Sequence, residues 1–243
     1  DFAVSFWASN WPLALVLLLI LGAIDAFSLA NYTLFTLLER EDWPALVQYL
    51  EEKVLKKGKY SPRLVKLLAN TYLVLSDAAS VQILEQKLTY KKPVLLDKNA
   101  LIFAAGRILS ADHKGAYTFL TERAESSKLE RPYWVRWYRA FSLLLLHDFV
   151  SAEEILLGLC RDADDPLVCG LSAFFLKDAV IKALPEDAEN IDAAVDDACK
   201  RIKKKFPDRK SWNKYAERER SEIHVVILSK SLDDTAEMLY NRE

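Results

Sequence analysis

The side chains that most often do chemistry are sparse in this sequence. Its three histidines are His113, His147 and His224. None has a second ligand three or four residues on, the spacing that sets two ligands on one helix face for zinc. The three cysteines, Cys160, Cys169 and Cys199, are too few for a disulfide framework. Cys160 and Cys169 could bridge a helix–loop–helix in an oxidising compartment, or remain buried thiols. Paired carboxylates occur at Glu39/Glu41 and Asp196/Asp197. They read as solvated helix faces rather than an acid–base pair. Neither a glycine-rich phosphate loop nor a Gly-x-Ser-x-Gly elbow is present. The expectation is a protein without catalysis, cofactor or metal.

The elements around these residues must then carry the function. Gly and Pro are scarce at 6 and 8, and the net charge is −2, which favours helix and offers nothing to nucleic acid. From Phe2 to Ile24 no residue is charged. As a helix this run spans about 35 Å, enough for a bilayer core. Leu17-Leu18-Leu19-Ile20-Leu21 is apolar on every face, which suits lipid. Trp7 and Trp11 near one end and Tyr32 near the other match interfacial aromatics. No basic residue precedes the run and no Ala-x-Ala site follows it, so an anchor is expected rather than a cleaved signal. Residues 1–30 are expected to form that anchor.

An internal repeat follows. Asp42, Asp77, Asp112 and Asp148 recur at intervals of 35, 35 and 36 residues. Four positions after each stand Leu46, Val81, Ala116 and Ala152, and seven after stand Tyr49, Leu84, Phe119 and Ile155. Eight before stand Ala69, Ala104 and Ala140, with Leu34 in the first unit. Positions +4 and +7 share a helix face. The Asp caps the helix it opens, and a small residue at −8 allows a close helix approach. Each unit therefore reads as helix, turn at the Asp, helix. Nothing breaks the chain between the anchor and the first unit after Gly22, so the first repeat is expected to continue the anchor helix.

With this register the sequence resembles the tetratricopeptide repeat superfamily, whose period is about 34 residues. The resemblance covers residues 26–165. Ala140, Ala116, Ala152, Trp43, Phe149 and Pro93 fall at its signature positions, while its helix A Trp and Gly are mostly missing. It implies an all-α protein: a right-handed solenoid of helical hairpins behind an N-terminal transmembrane helix. Residues 166–243 would be an atypical repeat with capping helices.

The resemblance also implies a concave groove lined by Arg63, Lys66, Asn70, Lys98, Leu101, Trp134, Trp137 and Phe141, basic at one end and aromatic at the other. Trp134 and Trp137 could equally be core. Five aromatics between Tyr133 and Phe141 wrap most of the way round their helix, which implies exposed apolar surface and a partner. A second feature is the basic run Lys200, Arg201, Lys203, Lys204, Lys205, Arg209 and Lys210. It is either a solvated cap or a patch that docks on anionic lipid or an acidic neighbour.

Anchored-repeat proteins of this plan include envelope-biogenesis adaptors, periplasmic chaperone-like factors and collars of periplasmic flagellar motors. The expected function is a non-catalytic, single-pass scaffold organising a multiprotein assembly at a bacterial inner membrane, its soluble part periplasmic. Its partners would be complex subunits or its own copies. The alternative is an adaptor that binds client peptides in the groove. An organellar import receptor would need a cytosolic solenoid.

Overall fold

The computed structural model describes residues 2–241, with side chains from residue 10 onward, so the expectation for Trp7 lies outside the described side chains. Helices dominate, and no strand occurs among the described residues. The chain divides into two compact units, residues 1–58 and 59–243, a boundary that falls within the expected repeat region 26–165.

The first unit opens with α1 (Phe2–Ala30), kinked at Asn10. The most apolar 18 residues within Asn10–Ala30 have a mean hydropathy of 2.5, and none of them is buried. A 21-residue helix reaches about 32 Å, so it is long and apolar enough to cross a membrane. Trp11 and Tyr32 are both exposed. The predicted continuity with the first repeat is broken at Asn31, which lies outside helical geometry (φ −111°, ψ 9°). The Asn31 side-chain amide donates back to the Phe27 carbonyl at 2.8 Å, beside the backbone bond from Asn31 N–H to the same oxygen at 3.1 Å. Beyond it come α2 (Tyr32–Glu39) and α3 (Trp43–Glu51), which pack together, then a π-turn at Glu52–Lys56.

The second unit contains α4 (Pro62–Val74), α5 (Ala78–Lys91), a short α6 (Val94–Lys98), α7 (Ala100–Leu109), α8 (His113–Thr121), α9 (Pro132–Leu145) and α10 (Phe149–Asp162). Next is α11 (Pro166–Phe175), which loosens through a π-turn into α12 (Ile181–Ala183). Then follow α13 (Ala188–Lys205), α14 (Arg209–Glu219), α15 (Ile223–Val226) and α16 (Ser229–Tyr240). Successive helices pack together from α7 to α11, and α7 also meets α9. The small column holds: Ala69, Ala104 and Ala140 have no exposed surface, and Leu34 is also buried. At +4, Leu46, Val81, Ala116 and Ala152 are all buried. At +7 only Leu84 and Phe119 are buried, while Tyr49 and Ile155 are half-exposed.

The recurrent Asp residues sit in four turns of one geometry. Asp42, Asp77, Asp112 and Asp148 each accept, through the side chain, the N–H three residues on: Ala45, Ser80, Gly115 and Ser151, at 3.0–3.2 Å. Such a cap contributes about 1 kcal/mol. The residue before each Asp is left-handed: Glu41, Ser76, Ala111 and His147, with φ of 52°, 57°, 58° and 61°. Each Asp N–H then returns to the carbonyl five residues back, on Leu37, Tyr72, Arg107 and Leu143, at 2.8–3.1 Å. This six-to-one bond behind a left-handed residue is a Schellman termination. The left-handed residue costs roughly 1–2 kcal/mol where a side chain is present. The same cost is met four times, so the turn is a repeated feature of the chain.

Candidate functional site: a face closed by the C-terminal segment

The expected groove residues lie at different depths. Arg63 is exposed, and Lys66, Asn70 and Lys98 are half-buried. Leu101 is buried. Trp134 and Trp137 are only 1% and 0% exposed, so they are core and line no open groove. The expectation of exposed apolar surface assumed one covering helix. In fact α9 packs against α7, α8, α10 and α11. Trp137 meets Phe141 in a stack (centroids 5.1 Å) and Phe175 at 5.7 Å. Trp134 donates its Nε1–H to Asp165 Oδ2 at 2.7 Å. The other oxygen of Asp165 caps α11 at Leu167 N (2.9 Å), so one carboxylate fixes both helices. Phe141 keeps a half-exposed edge.

A segment of the stretch expected to cap the repeats, residues 166–243, covers this region. Between α14 and α15 the chain runs back onto the earlier helices of the second unit. Glu222 pairs with Lys66 at 3.0 Å, and Glu219 with Arg131 at 2.9 Å. Tyr138 Oη donates to the His224 carbonyl at 2.5 Å. The His224 ring stands edge-on to Trp134, centroids 5.0 Å apart. His224 is 2% exposed, and burial holds its imidazole down at about 4, so it is neutral at pH 7. Burial pushes the Glu222 carboxyl up, but the Lys66 hydrogen bond and charge bring it net below its ordinary value. Burial alone pushes the Tyr138 phenol well up. The acids Glu219 and Glu222 carried no signal of their own among the mixed charges of the tail, because their partners are 88 and 156 residues away.

A cavity of about 240 Å³ remains beneath this segment, walled by α4, α6, the start of α7, the loop before α9 and the Glu222–His224 stretch.

The basic run is split. Lys200, Lys203, Lys204, Lys205 and Lys210 are exposed on α13 and the start of α14. Lys200 pairs with Asp197 at 3.2 Å. Lys203, Lys204 and Lys205 lie in the last turn of α13, where cations complement the helix dipole. Arg201 is exposed as well, but its guanidinium is tied within the chain. Its guanidinium donates to the carbonyls of Cys160 and Arg161 (2.8 Å to the latter) and lies 3.4 Å from the Cys169 sulfur. Arg209 reaches Glu237 at 3.9 Å.

Cys160 and Cys169 are buried, unbridged and face each other, each sulfur 3.7–4.0 Å from the other's carbonyl oxygen. Burial pushes both thiols up, which keeps them protonated and unreactive. Among the described residues no group of three His, Cys, Asp or Glu is placed to hold a metal ion.

The profile of a family described as "Uncharacterised Treponema protein" matches residues 80–241. A Treponema pallidum (strain Nichols) protein described as "Uncharacterized protein" is 28% identical over 232 residues, covering 93% of this chain and 74% of that protein. No solved structure matches the chain. Because residues 80–241 are more than half of the 243, the chain belongs to this Treponema protein family.

Proposed function

We propose that this protein is a non-catalytic scaffold, held at a bacterial membrane by α1 and built as a right-handed tetratricopeptide-like solenoid. The observation that carries the reading is the fourfold turn. A left-handed residue followed by a capping Asp recurs at 35, 35 and 36 residues, the spacing of a helical-hairpin repeat. Hairpins repeated in this way bury their faces against neighbours and present long surfaces for partners. The exposed apolar helix Asn10–Ala30 supports the anchor.

A peptide-binding adaptor fits less well. Lys66 is paired with Glu222, and Trp134 and Trp137 are buried, so the residues that would grip a client are engaged within the chain. The partners of the scaffold are subunits of a membrane or envelope assembly, a flagellar collar being one example, or further copies of the chain. In this reading the second unit faces the periplasm. A Lys210→Cys variant labelled in intact cells tests that side: labelling blocked by the inner membrane would contradict it. Native electrophoresis of gently solubilised membranes tests the scaffold itself. A complex of fixed mass is expected, and recovery of the chain only in free form would sink the reading.

A further inference from the structure

Helix α13 carries its charges in two blocks. It packs on α10 and α11, and its buried side is Ile191, Val195, Ala198 and Ile202. On the face away from these stand Glu189, Asp192 and Asp196, then Lys200, Lys203 and Lys204, every one exposed. Steps of three and four residues keep them on one stripe of the helix. The first half of the stripe is acidic and the second half basic.

The helix dipole does not account for this order. Its preference for one sign of charge ends within the first and last turns. Asp192, Asp196 and Lys200 lie in the middle of an 18-residue helix. Within the chain the order is unfavourable, because like charges stand four residues apart, Asp192 with Asp196 and Lys200 with Lys204, and such pairs repel. Internal partners relieve little of this. Lys200 meets Asp197 at 3.2 Å with both side chains more than three-quarters exposed, and Asp192 meets Lys177 at 3.2 Å. Glu189, Asp196 and Lys204 form no ion pair among the described residues.

We propose that this stripe of α13 is a self-docking face, on which the α13 of a second copy of the chain lies antiparallel. A two-fold axis level with Ala198 sets Asp196 of one copy opposite Lys200 of the other, and Asp192 opposite Lys204, each pair occurring twice. An axis level with Asp196 would set that carboxylate against its own counterpart, so the charges also choose the register. They choose the occupant as well. An anionic lipid surface or an acidic protein could meet the lysines only by also meeting the acidic half. The reversed pattern that suits both halves is carried by the chain itself. This pairing rests on the scaffold reading and names a further copy as one of its neighbours.

The test is sedimentation velocity of the full chain in a nonionic detergent. A dimer is expected, weakening severalfold from about 50 mM to about 500 mM salt as the charges are screened. Asp196→Lys and Lys200→Asp each turn two attractions into two repulsions, so each alone should weaken the dimer about tenfold. Both sites are exposed, so the melting temperature should barely move. Mixed one to one, the two variants restore opposite signs at every pair, and the dimer should return. Full dimerisation of both single variants, or no return on mixing, would overturn the proposal. So would a monomer at every salt concentration. If that monomer still enters a complex of fixed mass in native membranes, the scaffold reading stands without this face. Lys200 shielded from amine labelling only in nanodiscs of anionic lipid would assign the face to the membrane, and would overturn the pairing too.

Discussion

Lys66 and Glu222 meet at 3.0 Å although 156 residues separate them. The pair ties the C-terminal segment onto α4 and, with Arg131–Glu219, closes the face expected to be an open groove. Both side chains keep partial exposure, 38% and 24%, so solvent screens the pair and its net worth is about 1 kcal/mol or less. Lys66→Glu also sets two carboxylates together. We expect little change in global melting but severalfold faster amide exchange over residues 222–228. Unchanged exchange there would show that the pair does not hold the segment.

The same segment should be acid-sensitive. His224 is neutral when folded, with its pKa lowered from 6.5 to about 4 by burial. Between those values the unfolded chain binds a proton that the folded chain refuses, so stability falls as pH drops through this window. Carried to its limit the shift corresponds to roughly 3 kcal/mol. Glu222, held below its ordinary value, adds a loss of the same sign at still lower pH. Denaturant unfolding at pH 7 and pH 4.5 should differ, and His224→Gln should flatten that slope. An equal slope in the variant would move the effect elsewhere.

Trp137 should act as core. Trp137→Ala removes a side chain with no exposed surface and is expected to cost about 3–5 kcal/mol in chemical denaturation. A normally stable variant would contradict its placement.

The repeated turns make a graded set. Asp148→Ala should cost about 1 kcal/mol through loss of the Ser151 cap. Ala111→Gly removes a left-handed side chain but loosens the unfolded chain, so a gain of about 0.5 kcal/mol is expected. Thermal melts of the two variants should move in opposite directions.

How much of this was legible follows from range. The Asp turns and the small column were readable because a cap, a Schellman turn and a helix face are decided within about ten residues. Asp112 and Ala104 carry their signals locally. Closure by Glu219, Glu222 and His224 was not readable, because periodicity says nothing about which distant residue a charge will meet. For Trp134 and Trp137 the core alternative is the one that holds, and a related reason kept the two readings level. Their number round one helix implied exposure only while a single neighbour was counted, and α9 has several. The irregular backbone at Asn31, between α1 and α2, is likewise something apolar length does not reveal.

The anchor is open to a direct change. Leu17→Arg and Leu21→Arg lie in the exposed apolar stretch, and each should cost roughly 2.5–3.5 kcal/mol of insertion. The double variant should leave the carbonate-resistant membrane fraction, in which the parent chain should stay.

The central claim, a scaffold with fixed neighbours, is met most directly by quantitative crosslinking in native membranes with identification of the joined proteins. The same few neighbours, or further copies of this chain, should be joined at constant ratio, unaffected by excess unfolded peptide. A broad, peptide-competable set of unfolded clients would contradict it.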